Sequence, residues 1–299
     1  MNIDTKPIPA PDRPRIGLIG LGLMGHGIGR NLLKGGYWLN VRGNVNRKPV
    51  QSLVELGAME AKSLAALTQA SDMIILCVTG SPQVESLIYG ADGILANGRS
   101  GQVVIDCSTS EPSSSERINA DLRDVGITFV DAPLGRTPVE AEAGTLNTMV
   151  GATPEILELI RPVLQAFCEN IIHVGSVLSA QKLKLINNFA IVGTVALITE
   201  ALRTCDRVGI DRSALYSLMS KGPLKSALLQ ATAEEILKNN FEGMKFSINN
   251  ARKDILYFNN MVAHGPEAAS LSSGLSHVLE LAVEQKLGDQ FLPSLVKVE

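Results

Sequence analysis

The sequence predicts an α/β protein: a doubly wound, mostly parallel sheet in the N-terminal half, then an all-α C-terminal domain joined to it by one long helix. Three observations predict this. Short β-branched runs alternate with helix-period segments through the first half. A Gly-x-Gly-x-x-Gly spacing joins the first run to the first helical segment. Residues 179–208 contain no proline and one glycine, Gly193, and only helical patterns come after them.

In chain order, residues 1–14 (MNIDTKPIPAPDRP) carry four prolines and no apolar core. A mobile tail is expected there, and no signal peptide. Strands are expected at 15–20, 38–41, 73–79, 103–107, 127–131 and 147–150. Helical segments at 24–33, 63–70 and 113–125 lie between several of them. MIILCV is the clearest strand, and its unbroken apolar run suits burial on both faces. Residues 179–208 read as a single helix about 45 Å long. Further helices are expected at 212–220, 225–238, 248–263 and 272–285.

The 299 residues are enough for two domains. A net charge of -3 with no basic run excludes non-specific nucleic-acid binding. The longest apolar stretch, around 189–198, reads as too short and too interrupted to span a bilayer. Cys77, Cys107, Cys168 and Cys205 form no CxxC pair and read as reduced core thiols, so the expected location is cytoplasmic. His26, His173, His264 and His277 are as scattered, and no metal is expected.

Residues 15–30 read RIGLIGLGLMGHGIGR. The glycines follow an apolar strand and precede a helix, the context a dinucleotide site requires. Gly20 permits the tight turn, Gly22 lets backbone approach a pyrophosphate, and Gly25 allows close helix–strand packing. Leu21, Leu23 and Met24 complete the loop, whose helix N-terminus offers N–H groups and a positive dipole end to phosphate. Residues 15–175 are therefore expected to form a Rossmann domain, and 176–299 a helical domain. The end of the second strand, VRGNVNRKP, has Arg42, Arg47 and Lys48 and no acid before Glu55. That suits a 2′-phosphate, so NADP is favoured over NAD. The competing reading is a solvated basic loop.

Further segments, in order, are Asn46-Arg47, DCST (106–109), DAP…EAGTL (131–146), KLINN (184–188) and a late F…KD (246–254). Together with GLGLMG they resemble the β-hydroxyacid dehydrogenase, or 3-hydroxyisobutyrate dehydrogenase, family over nearly the whole chain. The resemblance implies an NAD(P)-dependent enzyme acting on a small anionic substrate. It makes Lys184 the catalytic acid/base and Asn188 a substrate ligand. It puts Asn46, Arg47, Val78, Thr79, Thr109, Phe246 and Lys253 on the cofactor side, makes 176–299 the substrate and oligomerisation domain, and implies a homodimer or homotetramer. Plain core packing is the equal alternative for Phe246. Helical spacing agrees for Lys184 and Asn188, since residues i and i+4 share a face. A lysine at a domain junction is expected to be partly desolvated, which lowers its pKa. Lys182 reads as surface.

Most of the family has Ser-Gly-Gly where this chain has Gly135-Arg136-Thr137. The latter resembles the sulfolactaldehyde reductase branch, and a guanidinium fork there can hold a sulfonate or a carboxylate. The competing reading is that Arg136 merely pairs with a nearby carboxylate, such as Glu140 or Glu142. Two alternatives to the enzyme class are an imine reductase of the same architecture and a non-catalytic dinucleotide-binding protein.

Overall fold

A computed structural model describes residues 12–263 and 270–299. Most of the expected tail and His264 lie outside them. The chain divides into two compact units, Met1–Lys184 and Leu185–Glu299.

The first unit is built on a nine-stranded sheet. Strands β1 (Ile16–Ile19), β2 (Leu39–Arg42), β3 (Met59–Glu60), β4 (Met73–Leu76), β5 (Val103–Asp106) and β6 (Thr128–Asp131) run parallel in the order β3-β2-β1-β4-β5-β6. Beyond β6 lie β7 (Leu134–Gly135) and β8 (Leu146–Gly151), which pair antiparallel. β9 (Cys168–Gly175) then runs parallel to β8. Period-two alternation divides the strand side chains between two cores. Ile16, Leu18, Ile75 and Ile105 face one, with Ile28 and Leu32 of helix α1 (Leu23–Lys34) and Leu53 of α2 (Lys48–Glu55). Ile19, Ile74, Leu76 and Val104 face the other. There they meet Leu67 of α3 (Leu64–Ala70), Ile88 of α4 (Ser81–Tyr89) and Leu122 of α6 (Pro112–Asp124), beyond the short α5 (Ile94–Asn97).

Several helices lie where the sequence pattern predicts none. Helices α2, α4, α7 (Pro138–Ala143) and α8 (Pro154–Leu164) each carry proline in their first turn, and α8 has Pro162 near its end. First-turn proline costs a helix no hydrogen bond, so the first-turn prolines start these helices rather than break them. Helix α1 packs on α7 so closely that a Cβ on Gly27 would lie 2.5 Å from the Ala141 carbonyl carbon. Asn31 fixes the pair, its amide donating to the carbonyls of Gly27, Ala141 and Glu142.

Helix α9 (Ser179–Val208) has the expected bounds. In the second unit Val192 and Val195 pack with α13 (Ile248–Val262) and α14 (Ser270–Glu284), while Ile198 and Leu202 pack with Met219 of α10 (Arg212–Met219). The segment expected as one helix over 225–238 begins later, at the Ser226 cap. Its middle, Gln230–Glu234, is a π-turn between α11 (Ala227–Leu229) and α12 (Glu235–Leu237). The bilayer reading also needs correcting. By length and composition α9 could cross a membrane, with a window of mean hydropathy 1.6, of which 44% is buried within the chain. The core helix of a soluble protein meets the same criterion.

Candidate active site

In the sheet unit the parallel strands β2-β1-β4-β5-β6 all end on one edge, and the loops leaving them form a row. From one side it carries Arg42 with Asn46 and Arg47, the Gly20–Gly25 turn, Val78 with Thr79, Thr109, and the segment Pro133–Thr137. Ligands of open α/β sheets bind at this edge. An open hollow lined by Arg13, Tyr37, Asp72 and Leu159 lies at the opposite ends of β1 and β4 and gathers no candidate residue.

The three glycines divide their work. Gly20 has φ +92, and a Cβ there would lie 2.1 Å from the Cys77 carbonyl oxygen. A Cβ on Gly25 would lie 1.7 Å from the Gly20 carbonyl oxygen. Gly22 caps α1 without any side-chain hydrogen bond, and a Cβ on it would meet no atom within 4 Å. Packing thus requires Gly20 and Gly25, whereas Gly22 faces open space beside the first-turn N–H groups. Such a cradle fits a dinucleotide's pyrophosphate. Leu21 is buried, Met24 half-buried and Leu23 exposed. Val78 lies against Gly20 and donates its N–H to Ser108 Oγ (3.0 Å), tying the end of β4 to that of β5; Thr79 is exposed.

At the row's first end, Arg47 pairs with Glu60 on β3 (Nη2–Oε2 2.7 Å). Asn46 Oδ1 accepts from Lys48 N–H. Arg42 is half-buried at the tip of β2.

Two buried aspartates, Asp106 and Asp131, brace the middle. Asp106 Oδ1 accepts from Ser108 N–H and its Oδ2 from the Ser110 hydroxyl. Asp131 accepts the N–H groups of Leu178 and Gln181 (2.7 and 2.9 Å), closing the N-terminus of α9. Burial pushes the Asp131 carboxyl up from its ordinary value, against the backbone donors. Buried Gln181 accepts from Ser110 N–H and donates to the Ser108 carbonyl, so the loop holding half-buried Thr109 is bolted to α9 one turn before Lys184. The sequence motifs DCST and DAP assign these aspartates no role, and Gln181 belongs to neither motif. Two strands each ending in Asp was the available signal. Burial pushes the nearby thiols of Cys77 and Cys168 up to about 12.

The Gly135-Arg136-Thr137 loop joins β7 to α7. Thr137 caps α7 in a capping box, its N–H and hydroxyl both donating to Glu140. Arg136 has φ +76 and donates to the Thr145 carbonyl and to Glu169 on β9. Arg136 thus pairs with a carboxylate, as the competing reading expects, although neither Glu140 nor Glu142 supplies it, both being engaged elsewhere. Glu142 holds His26 Nδ1 (2.7 Å) and Arg30. The arginine does have a carboxylate partner, but it comes from across the β8–β9 pairing.

On α9, Lys184 is half-buried and Lys182 exposed. One turn on, Asn188 is buried, and its Nδ2 donates to Asp254 Oδ2 (2.6 Å). Asp254 also accepts from Lys253 (2.7 Å), whose ammonium lies over the Tyr257 ring. The helical unit thus joins Asn188 and Lys253 through a shared aspartate. Phe246 is half-buried and packs against the core of Ile248 and Leu292. Among the described residues no group of three or more His, Cys, Asp or Glu could hold a metal ion.

The glycine cradle at the open edge of a parallel sheet, and the helical unit after it, define a dinucleotide-binding oxidoreductase of the Rossmann class. Residues 15–175 match the family model for the NAD binding domain of 6-phosphogluconate dehydrogenase. Residues 179–298 match that for the NAD-binding domain of NADP-dependent 3-hydroxyisobutyrate dehydrogenase. The chain belongs to the β-hydroxyacid dehydrogenase family and uses a nicotinamide cofactor. It is 37% identical over 207 residues to the NAD-dependent L-serine dehydrogenase of Pseudomonas aeruginosa, 69% of either chain. It is 32% identical over 205 residues to the 3-sulfolactaldehyde reductase of Escherichia coli, 69% of this chain and 68% of that one. The structure of Mycobacterium tuberculosis 3-hydroxyisobutyrate dehydrogenase with L-serine shares the fold, with a TM-score of 0.85 at 21% identity over 95% of this chain and 98% of that one.

Proposed function

We propose that the protein transfers hydride between NAD(P) and a small anionic β-hydroxy acid or its semialdehyde, with Lys184 as the proton carrier. The observation that carries this reading is the half-buried Lys184 one helical turn from Asn188, whose amide is held by Asp254. The bound cofactor supplies or receives the hydride at the substrate's carbonyl carbon. In reduction the Lys184 ammonium gives its proton to the carbonyl oxygen. In oxidation the neutral amine takes the hydroxyl proton. Asn188 orients that oxygen, and Thr109 lines the same step. Gly20–Gly25 cradle the pyrophosphate, while Arg47 with Asn46 meets the ribose end, which favours NADP. Val78, Thr79 and Lys253 complete the cofactor side.

Gly135, Arg136 and Thr137 receive the substrate anion. Arg136 must then exchange Glu169 for the ligand, and a guanidinium fork serves a sulfonate as well as a carboxylate. Sulfolactaldehyde is one substrate that fits this loop, and similarity to a sulfolactaldehyde reductase supports it. We further propose residues 15–175 as the cofactor domain, 176–299 as the substrate and oligomerisation domain, a homodimer or homotetramer, and a cytoplasmic location. Exposed Leu183, Ile186 and Leu197 lie on one side of α9 and support the oligomer. An imine reductase of the same architecture is the second reading, and Lys184 with Asn188 supports the dehydrogenase one.

The test is Lys184→Ala, assayed by NADPH oxidation with sulfolactaldehyde and with tartronate semialdehyde. Turnover should fall by roughly 100-fold or more while NADPH binding holds. Wild-type turnover in the variant would remove Lys184 from the mechanism.

A further inference from the structure

At the ribose end the sequence shows a basic loop with no acid from residue 41 to 54. The fold supplies one from outside it. Strand β3 has two residues, and its parallel register sets Glu60 opposite Val41, at the mouth of that loop. The Glu60 carboxylate is fixed by a donor of the loop, the Arg47 guanidinium at 2.7 Å. The arginine hydrogen bond, its largest influence, holds Glu60 below its ordinary value, so it is ionised at neutral pH. Helix α2 begins just after Arg47 with no acid in its first turn, so Glu60 is the negative charge this loop contacts.

We infer that Glu60 sets the choice between the two dinucleotides: by occupying Arg47 and opposing a second negative charge, it restrains NADPH and lets the chain take NADH as well. The inference rests on the proposed nicotinamide-dependent function. A ribose 2′-phosphate brings roughly 1.5–2 negative charges and must displace Glu60 from Arg47. A 2′-hydroxyl brings no charge and can itself donate to a carboxylate.

Calorimetric titration of the full chain with NADPH and with NADH tests this without turnover. Glu60→Gln should tighten NADPH about five-fold and leave NADH within about two-fold, with the difference shrinking at high salt. The gain should be smaller when Arg47 is already alanine. An unchanged NADPH affinity overturns the inference. So does a parallel weakening of both dinucleotides, which would mark Glu60 as merely structural. Wild-type protein that binds neither dinucleotide overturns the proposed function itself, and the inference with it.

Discussion

The glycine turn and the Arg136 loop sit on the same edge of one sheet, yet they are built in opposite ways. The turn works by lacking side chains: a Cβ on Gly20 or Gly25 would meet a backbone oxygen, and one on Gly22 would meet no atom within 4 Å. The loop works through side chains already engaged, Arg136 with Glu169 and Thr137 with Glu140. Backbone contacts leave no slack, because neither atom can rotate away. Ion pairs at a surface exchange partners cheaply, since water and other ions compete for them. Gly20 and Gly25 should tolerate no substitution, whereas the second region should tolerate many while changing what it binds.

The largest break in this contrast is Gly25→Ala. Its methyl would overlap the Gly20 carbonyl oxygen, so we expect a loss of ~3 kcal/mol or more, read as a fall in thermal midpoint. A midpoint equal to wild type would mean that the turn can relax. Next is Gly22→Ala, which separates packing from ligand contact. Stability should change by less than about 1 kcal/mol, while dinucleotide affinity weakens by roughly 100-fold because a methyl fills the cradle. Equal losses in both would show Gly22 to be structural. The smallest structural effect belongs to Arg136→Ala. We expect less than about 1 kcal/mol in stability, with KM for the anionic aldehyde raised roughly 10-fold and NADPH affinity kept. An unchanged KM would take Arg136 out of substrate recognition.

Features set by periodicity and by backbone need were legible in the sequence. Helix α9 could be read because its thirty residues hold no proline and one glycine. The strand–glycine–helix junction could be read because the turn needs Gly20 at positive φ. Partners distant in the chain were hidden. Glu60 lies 13 residues from Arg47, and Glu169 lies 33 from Arg136. Each pair is created by a strand register, β2 with β3 and β8 with β9, that no local pattern encodes. Asp106, Asp131 and Gln181 stand inside or beside recognisable motifs, but their work depends on burial and on hydrogen bonds to backbone from elsewhere in the chain. Helices α7 and α8 escape a pattern reading because proline looks like a breaker unless its place in the first turn is known.

The close seating of α1 on α7 bears on redesign. Gly27 admits the Ala141 backbone, Asn31 binds across the joint, and β7 ends just before the loop begins. Arg136 and Thr137 are therefore a cassette between two welded ends. Grafts of equal length can be swapped there to retune the enzyme toward other anions. Insertions would have to pry a helix from the one that carries the cofactor turn.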